Sequence, residues 1–258
     1  MAPPLTAGGA LGLAVQGDVA PLNSAAVPPV PPPALPPPSA GDGGFMVVGR
    51  FSPYTLLSAA WTYLSAGLCA WPIPSRSVPL GFNSTAAYGL IAPGLPKAYP
   101  GGAVSLQLAL AALPLLTIAP GGISASAPLT MGFVVAPAGG AGAPVLAFTL
   151  NATTALSLAV AVAPSPAAAG ALVFSGTLAY LSATLALAGS EVGPVSVGLL
   201  QGLADVVLPL IVASVNAELQ RGFPLPPIPG VAFTNATQLA LFDGFAQMDA
   251  NFTFAPPS

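Results

Sequence analysis

Histidine is absent from these 258 residues, cysteine occurs once, and only 4% of the side chains are charged. Each shortage closes a class of function. Without histidine there is no Ser-His-Asp or Cys-His nucleophile, because the general base is missing. A lone Cys69 forms no intrachain disulfide, and no Cys/His metal cluster can be assembled. The environment expected for Cys69 is a buried apolar one, where a thiol behaves as a small hydrophobe. Four bases against seven acids give a net charge of −3. That excludes the dense basic surface of a nucleic-acid binder and leaves little to steer the chain to anionic lipid.

Charge is missing in long stretches as well as on average. No charged residue lies between Arg50 and Arg76, or between Lys97 and Glu191. Such runs are the usual mark of a membrane span. Here they are filled largely by alanine, glycine and proline, and the helical candidate Pro53–Leu68 separates into two faces. Thr55, Ser58, Thr62 and Ser65 line one side; Leu57, Ala60, Trp61, Leu64 and Leu68 line the other. That pattern reads as a half-buried helix on a soluble core, with no transmembrane segment. Carboxylate chemistry finds no pair either. Asp205 and Glu218 fall on different faces of one helix, and Glu218 with Arg221 makes an ordinary i, i+3 ion pair. The tract Gly139-Gly140-Ala141-Gly142 lacks the lysine of a phosphate loop and reads as a turn. No catalytic residue, metal or cofactor is expected.

What is present has order. Leu11, Leu13 and Val15 alternate with small or polar residues from Ala10 to Val19, the signature of a strand whose partners must lie elsewhere. Pro28 to Pro38 holds eight prolines in eleven residues, a composition that favours extended polyproline II and serves as a spacer. This divides the chain into a strand segment (1–27), a proline-rich linker (28–44) and a main domain (45–258). Ser52-Pro53 starts a helix, and Pro72 and Pro74 stop it by about Leu68. From Ala103 to Ala188 the period becomes two. Val104, Leu106, Leu108 and Leu110 form one apolar row, and Leu156, Leu158, Val160 and Val162 another. Turn clusters at 119–122, 138–142 and 164–166 separate such runs, which argues for an antiparallel meander. A helix of about 25 residues, roughly 37 Å long, then runs from Gly193-Pro194-Val195-Ser196 to Gly222-Phe223-Pro224. Gly198, Gln201, Gly202, Asp205, Pro209, Asn216 and Gln220 form its polar stripe, expected to face solvent. Leu199, Leu200, Leu203, Val206, Val207, Leu210 and Ile211 form the opposite face, expected to meet the sheet. Pro209 on the polar side should bend the helix around that sheet. Short strands close the chain between Val231 and Phe254.

Several segments carry a resemblance. Glu191-Val192-Gly193-Pro194, Leu199-Leu200-Gln201 and above all Asn216-Ala217-Glu218-Leu219-Gln220-Arg221-Gly222-Phe223-Pro224-Leu225-Pro226 resemble the C-terminal barrel of the bactericidal permeability-increasing and lipopolysaccharide-binding protein family. Phe45-Met46-Val47-Val48-Gly49, Pro120-Gly121-Gly122 and Phe133-Val134-Val135-Ala136-Pro137 are similar to its other landmarks in the same order. The resemblance implies an α+β fold. A long helix is wrapped by a highly curved antiparallel sheet, with a shorter helix where the chain enters the domain and an apolar groove between helix and sheet. It implies lipid, phospholipid or lipopolysaccharide-like, as partner, with transfer or innate-defence sensing as the outcome. Leu57, Trp61 and Leu64 of the first helix and Leu199, Leu203, Val206 and Leu210 of the second are the groove residues it points to. The first barrel of such a protein, with its cationic tip and disulfide, has no counterpart in the chain. We therefore expect a piece of a longer two-barrel protein. The alternative is a structural or protein-interaction half whose groove is filled by its own side chains.

Four of six asparagines stand in acceptor sequons: Asn83, Asn151, Asn235 and Asn251. Chance gives about one in six at this serine and threonine content, so the excess favours a glycosylated, secreted surface. Met1-Ala2-Pro3-Pro4 has neither the basic nor the apolar region of a signal peptide, which truncation would explain.

Overall fold

A computed structural model of the chain describes residues 5–7, 10–12, 17, 19, 28–37, 44–78, 81–140, 142–164, 171–224, 230–234 and 237–254. The fold is α+β, and the strands among the described residues group into four sheets. At the N-terminus β1 (Leu5–Ala7) and β2 (Ala10–Gly12) form a small antiparallel hairpin. Of the strand read from Ala10 to Val19, the described part Ala10–Gly12 pairs with β1 immediately upstream, and Gly17 and Val19 are not in a strand. Residues 13–16 lie outside the described part.

After the linker come β3 (Val47–Phe51), helix α1 (Tyr54–Ser65) and β4 (Ala70–Ile73). The helix ends earlier than the prolines at 72 and 74 require. Gly67 takes φ +69°, and the Leu68 amide reaches back to the Tyr63 carbonyl at 2.9 Å. This glycine-dependent left-handed cap stops the helix before any proline can. Helix α2 (Gly94–Ala98) then precedes the meander of β5 (Ala103–Leu110), β6 (Leu115–Ala119), β7 (Gly122–Ala136), β8 (Val145–Pro164) and β9 (Leu172–Ser190). Helix α3 (Val197–Arg221) follows, then β10 (Phe223–Pro224), β11 (Val231–Phe233), β12 (Gln238–Phe242), β13 (Phe245–Ala250) and β14 (Phe252–Phe254).

The main sheet runs β10-β9-β8-β7-β5-β4, with β6 also paired to β7. Strands of 20 and 19 residues are far beyond the usual five or six and must twist and curl. Register shifts at Phe133/Val134, Thr149/Leu150 and Ser157/Leu158 add the bends that turn the sheet into an open half-barrel. Beyond Leu158, strand β8 has no β7 partner, and among the described residues Ala159–Pro164 pairs as a ribbon with β9. A separate sheet, β12-β13-β3, touches the meander where the Gly244 amide donates to the Ile118 carbonyl at 2.9 Å. Arg50 on β3 also holds the proline-rich linker. Its Nη1 donates to the carbonyls of Pro36 (3.1 Å) and Pro37 (2.7 Å), and its Nε to Gln247 Oε1.

The hydrophobic core sits at one end of the meander. Tyr88, Ile91, Ala92 and Leu95 from the segment around α2 pack on Val104, Phe133, Val135, Ala147, Phe148 and Leu150 of the sheet, with Val192 and Leu200 closing it. Cys69 is buried and free, in the environment expected for it.

Candidate functional site

The long helix docks on the sheet in an unexpected rotation. Strand β9 pairs with β8 along one edge and with the two-residue β10 only at Val173 and Phe174 along the other. The remainder of that edge would be bare backbone, which costs free energy unless each donor and acceptor finds a partner. Two amides of α3 supply partners. Gln201 donates from Nε2 to the Ala183 carbonyl (2.8 Å) and accepts the Leu185 amide on Oε1 (3.0 Å). Asn216 accepts the Leu178 amide on Oδ1 (2.6 Å) and donates from Nδ2 to the Leu178 carbonyl (3.0 Å). A carboxamide carries one acceptor and a donor group, as a peptide does, so each replaces a piece of the missing strand. The spacing fits: fifteen residues of helix cover about 22 Å, and six of strand about 20 Å.

The consequence revises the expected faces in part, with Gly198, Gly202 and Gln220 exposed as read. Gln201 and Asn216, assigned to the solvent stripe, lie half-buried against β9. Leu199, Val206 and Leu210, assigned to the sheet, are 50%, 64% and 62% exposed. Leu203 is half-buried, and only Leu200 enters the closed core. Helical periodicity defines two faces but not which one docks; the open edge of β9 selects the face with amides. Asp205 and Pro209 are exposed as read. Asp205 accepts from Gln201 Nε2 at 2.8 Å, and Glu218 pairs with Arg221 at 2.7 Å on an exposed surface. By length and composition α3 is the one described helix that could cross a membrane, but its two amides tie it to the strand edge.

On helix α1, Thr55 and Ser65 of the hydroxyl face are exposed, but Ser58 and Thr62 are not. Ser58 is fully buried; its Oγ accepts the Val19 amide at 3.1 Å and donates to the Thr55 carbonyl at 2.9 Å. Thr62 Oγ1 donates to the Val19 carbonyl at 2.6 Å. Ser58 and Thr62 therefore bind both backbone groups of Val19. Leu57, Trp61 and Leu64 are half-buried, while Leu56, Tyr63 and Leu68 are exposed. Helices α1 and α3 do not pack extensively against each other.

At the other end of α3, Gln220 overhangs a shallow depression of about 230 Å³ floored by Ala159, Val160, Ala161, Ser175, Gly176 and Thr177. None of the seven residues named from sequence for the lipid groove lines it. The closed end instead holds Phe133 stacked on Phe148 at 4.1 Å, with the Tyr88 ring edge-on to both. Burial pushes the Tyr88 phenol above its ordinary pKa, and its hydroxyl donates to the Phe82 carbonyl at 3.1 Å. Sequence reading passed over this segment, although Phe82, Tyr88 and Tyr99 concentrate aromatic side chains there. Among the described residues no group of three histidine, cysteine, aspartate or glutamate side chains could hold a metal ion.

Comparison with known proteins places this architecture. The crystal structure of lipopolysaccharide binding protein superposes with a TM-score of 0.57 at 22% identity, covering 90% of this chain and 48% of that one. The bactericidal permeability-increasing protein of Sebastes schlegelii is 25% identical over 196 residues, 74% of this chain and 40% of the relative. The chain thus spans less than half the length of either protein. A sequence model of the LBP / BPI / CETP family, C-terminal domain, matches residues 1–254. By that match, which takes in nearly every residue, the chain belongs to the LBP / BPI / CETP family.

Proposed function

We propose that this chain binds lipid through its acyl chains, laid along the exposed apolar face of α3 beside the open β8–β9 ribbon. The observation that carries the reading is the outward stripe of Leu199, Val206 and Leu210 on a helix held by polar clamps. Three large apolar side chains in water on one helix face are costly, at about 25 cal/mol per Å² of apolar surface. Hydrocarbon lying on them removes that cost. Leu203 borders the stripe, and Leu57, Trp61 and Leu64 of α1 offer a second apolar surface.

The class of lipid follows from the relatives' names and from the charges available. Phospholipid or a bacterial lipid such as lipopolysaccharide is the class, and acyl contact rather than phosphate recognition is the mode. Of the four bases, Arg221 is engaged with Glu218, and Arg50 with Gln247 and the linker. That leaves Arg76 and Lys97 for any phosphate, too few for a strong phosphate site. Lipid transfer or defence sensing, in an extracellular two-barrel protein, is the role this binding would serve. No catalytic step is assigned to any residue.

The test is solvent extraction of the purified protein followed by mass spectrometry. Acyl lipid at near-stoichiometric yield is expected, falling with Val206→Ser and Leu210→Ser together; extracts without lipid would overturn the reading. One observation favours a second reading, a protein-interaction half with no lipid. The enclosed core is filled by its own aromatic rings, and the α3 stripe would then meet another protein surface.

A further inference from the structure

We propose that Asn83 and Asn151 carry N-linked glycans and that the Asn151 glycan keeps the outer face of the long meander in water. Both asparagines stand in Asn-X-Ser/Thr sequons and both are exposed. Asn151 sits in the middle of β8 between Leu150, fully buried, and Ala152, 3% exposed. Alternation along a strand therefore turns the Asn151 side chain away from the core. Its register partners are Thr130 on β7 and Ala186 on β9, so a glycan there stands over the centre of three long strands. Asn83 lies in the segment leading into β5, with its backbone carbonyl accepting the Val104 amide at 2.8 Å and its side chain exposed. The hydroxyl of its sequon, Thr85, is buried and donates to the Tyr99 carbonyl. Modification of the chain before it folds uses that hydroxyl while it is still open.

The other two sequons differ. Asn251 is half-buried and its Oδ1 accepts the Met46 amide at 2.8 Å, a tie between the start of β3 and the C-terminal strands. It is not part of the proposal. Asn235 lies outside the described residues.

Composition supplies the physical reason for Asn151. The 93 residues from 98 to 190 contain no charge, and they include all of β5 to β9. Exposed Leu115, Leu146, Tyr180 and Leu187 lie in that stretch. Protein surfaces normally stay soluble through mixed charges; a hydrated oligosaccharide does the same work where charges are absent. In the transfer step the asparagine Nδ2 loses a proton and bonds to the anomeric carbon of a lipid-diphosphate-linked oligosaccharide. The bond from that carbon to the diphosphate oxygen breaks, and the diphosphate leaves with the electron pair.

The inference rests on the extracellular part of the proposed function, and the experiment separates the two. The protein is expressed from its full native coding sequence in eukaryotic cells, and the purified product is digested with peptide-N-glycosidase in heavy-oxygen water. Labelled aspartate at positions 83 and 151 is expected. Asn83→Gln and Asn151→Gln should each remove one glycan's mass, and Asn151→Gln should cause the larger loss of soluble secreted protein. A secreted product unmodified at both positions overturns the inference alone. Unchanged soluble yield for Asn151→Gln overturns the role given to that glycan. Protein that stays in the cytosol overturns the inference together with the extracellular reading.

Discussion

At one end of the meander Tyr88, Phe133, Phe148 and Leu95 interlock beneath the segment around α2; at the other, Ala159, Ala161 and Gly176 leave a shallow depression under Gln220. The same strands, β8 and β9, run through both. At the closed end β8 is flanked by β7 and β9 and roofed by residues 82–99 and the start of α3. At the open end β7 has stopped, and α3 meets the sheet mainly along the β9 edge. The contrast shows how one sheet divides its labour. Large aromatic side chains fix the shape where layers overlap, and small residues with polar clamps leave apolar surface accessible where they do not.

The largest expected effect lies at the closed end. Phe148→Ala removes a ring that is 1% exposed and stacked on Phe133. Truncations of this kind cost about 3–5 kcal/mol, so denaturant unfolding should show a domain near the edge of stability. A loss below about 1 kcal/mol would mean that this end is not close-packed, and the comparison between the ends would fail.

Next come the clamps. Gln201→Ala strands the Ala183 carbonyl and the Leu185 amide, and Asn216→Ala strands both backbone groups of Leu178. Each should cost about 1–3 kcal/mol, the range for leaving buried polar groups unpaired. Hydrogen exchange reads them separately, with faster exchange at the Leu185 amide in the first variant and at Leu178 in the second. Equal protection in both variants would show that the edge of β9 is covered by something other than these amides.

A smaller effect is expected where α3 stops. Gly222 has φ +76°, and a Cβ there would press into the Val173 side chain. Gly222→Ala should cost about 1–2 kcal/mol, because positive φ with an extended ψ of 158° is open to glycine alone, plus the contact. The lost stability should appear as faster amide exchange in the last turn of α3 and in β10, with the closed end unchanged.

Much of this was legible in the sequence, and the failures have a common physical cause. The extent of α3, the period-two rows of β5 and β8, and the turns at 119–122 and 138–142 follow from local pattern and proline or glycine punctuation. The buried Cys69 and the Glu218–Arg221 pair were legible for the same reason. What failed was the role of particular polar side chains, Gln201 and Asn216 on α3 and Ser58 and Thr62 on α1, which bond to backbone. Periodicity sorts Gln201 and Asn216 from Leu199 and Val206, and Ser58 and Thr62 from Leu57 and Trp61. It carries no information about whether the neighbour is an apolar surface or an unpaired backbone. A signal was present nonetheless: two carboxamides fifteen residues apart, about four turns, on one side of an otherwise apolar helix. The closed core was missed for another reason. Its roof, residues 82–99, is built of short turns with no periodicity to read.

The smallest expected effect on stability belongs to the α3 stripe, and it bears most directly on function. Val206 is 64% and Leu210 62% exposed, and neither belongs to the enclosed core. Replacing both by serine removes apolar surface already in water, so the change in unfolding free energy should stay within about 0.5 kcal/mol per site. Helix propensity contributes a few tenths against serine, which the same allowance covers. Bound lipid should nevertheless fall by an order of magnitude, because the acyl chains lose the surface that orders them. Lipid content and denaturant midpoint measured on one preparation separate the outcomes. Lost lipid at unchanged stability places the binding surface on the outward face of α3. If stability drops by several kcal/mol and lipid is unaffected, Val206 and Leu210 are covered in solution by protein, and the stripe is an interface rather than a lipid surface.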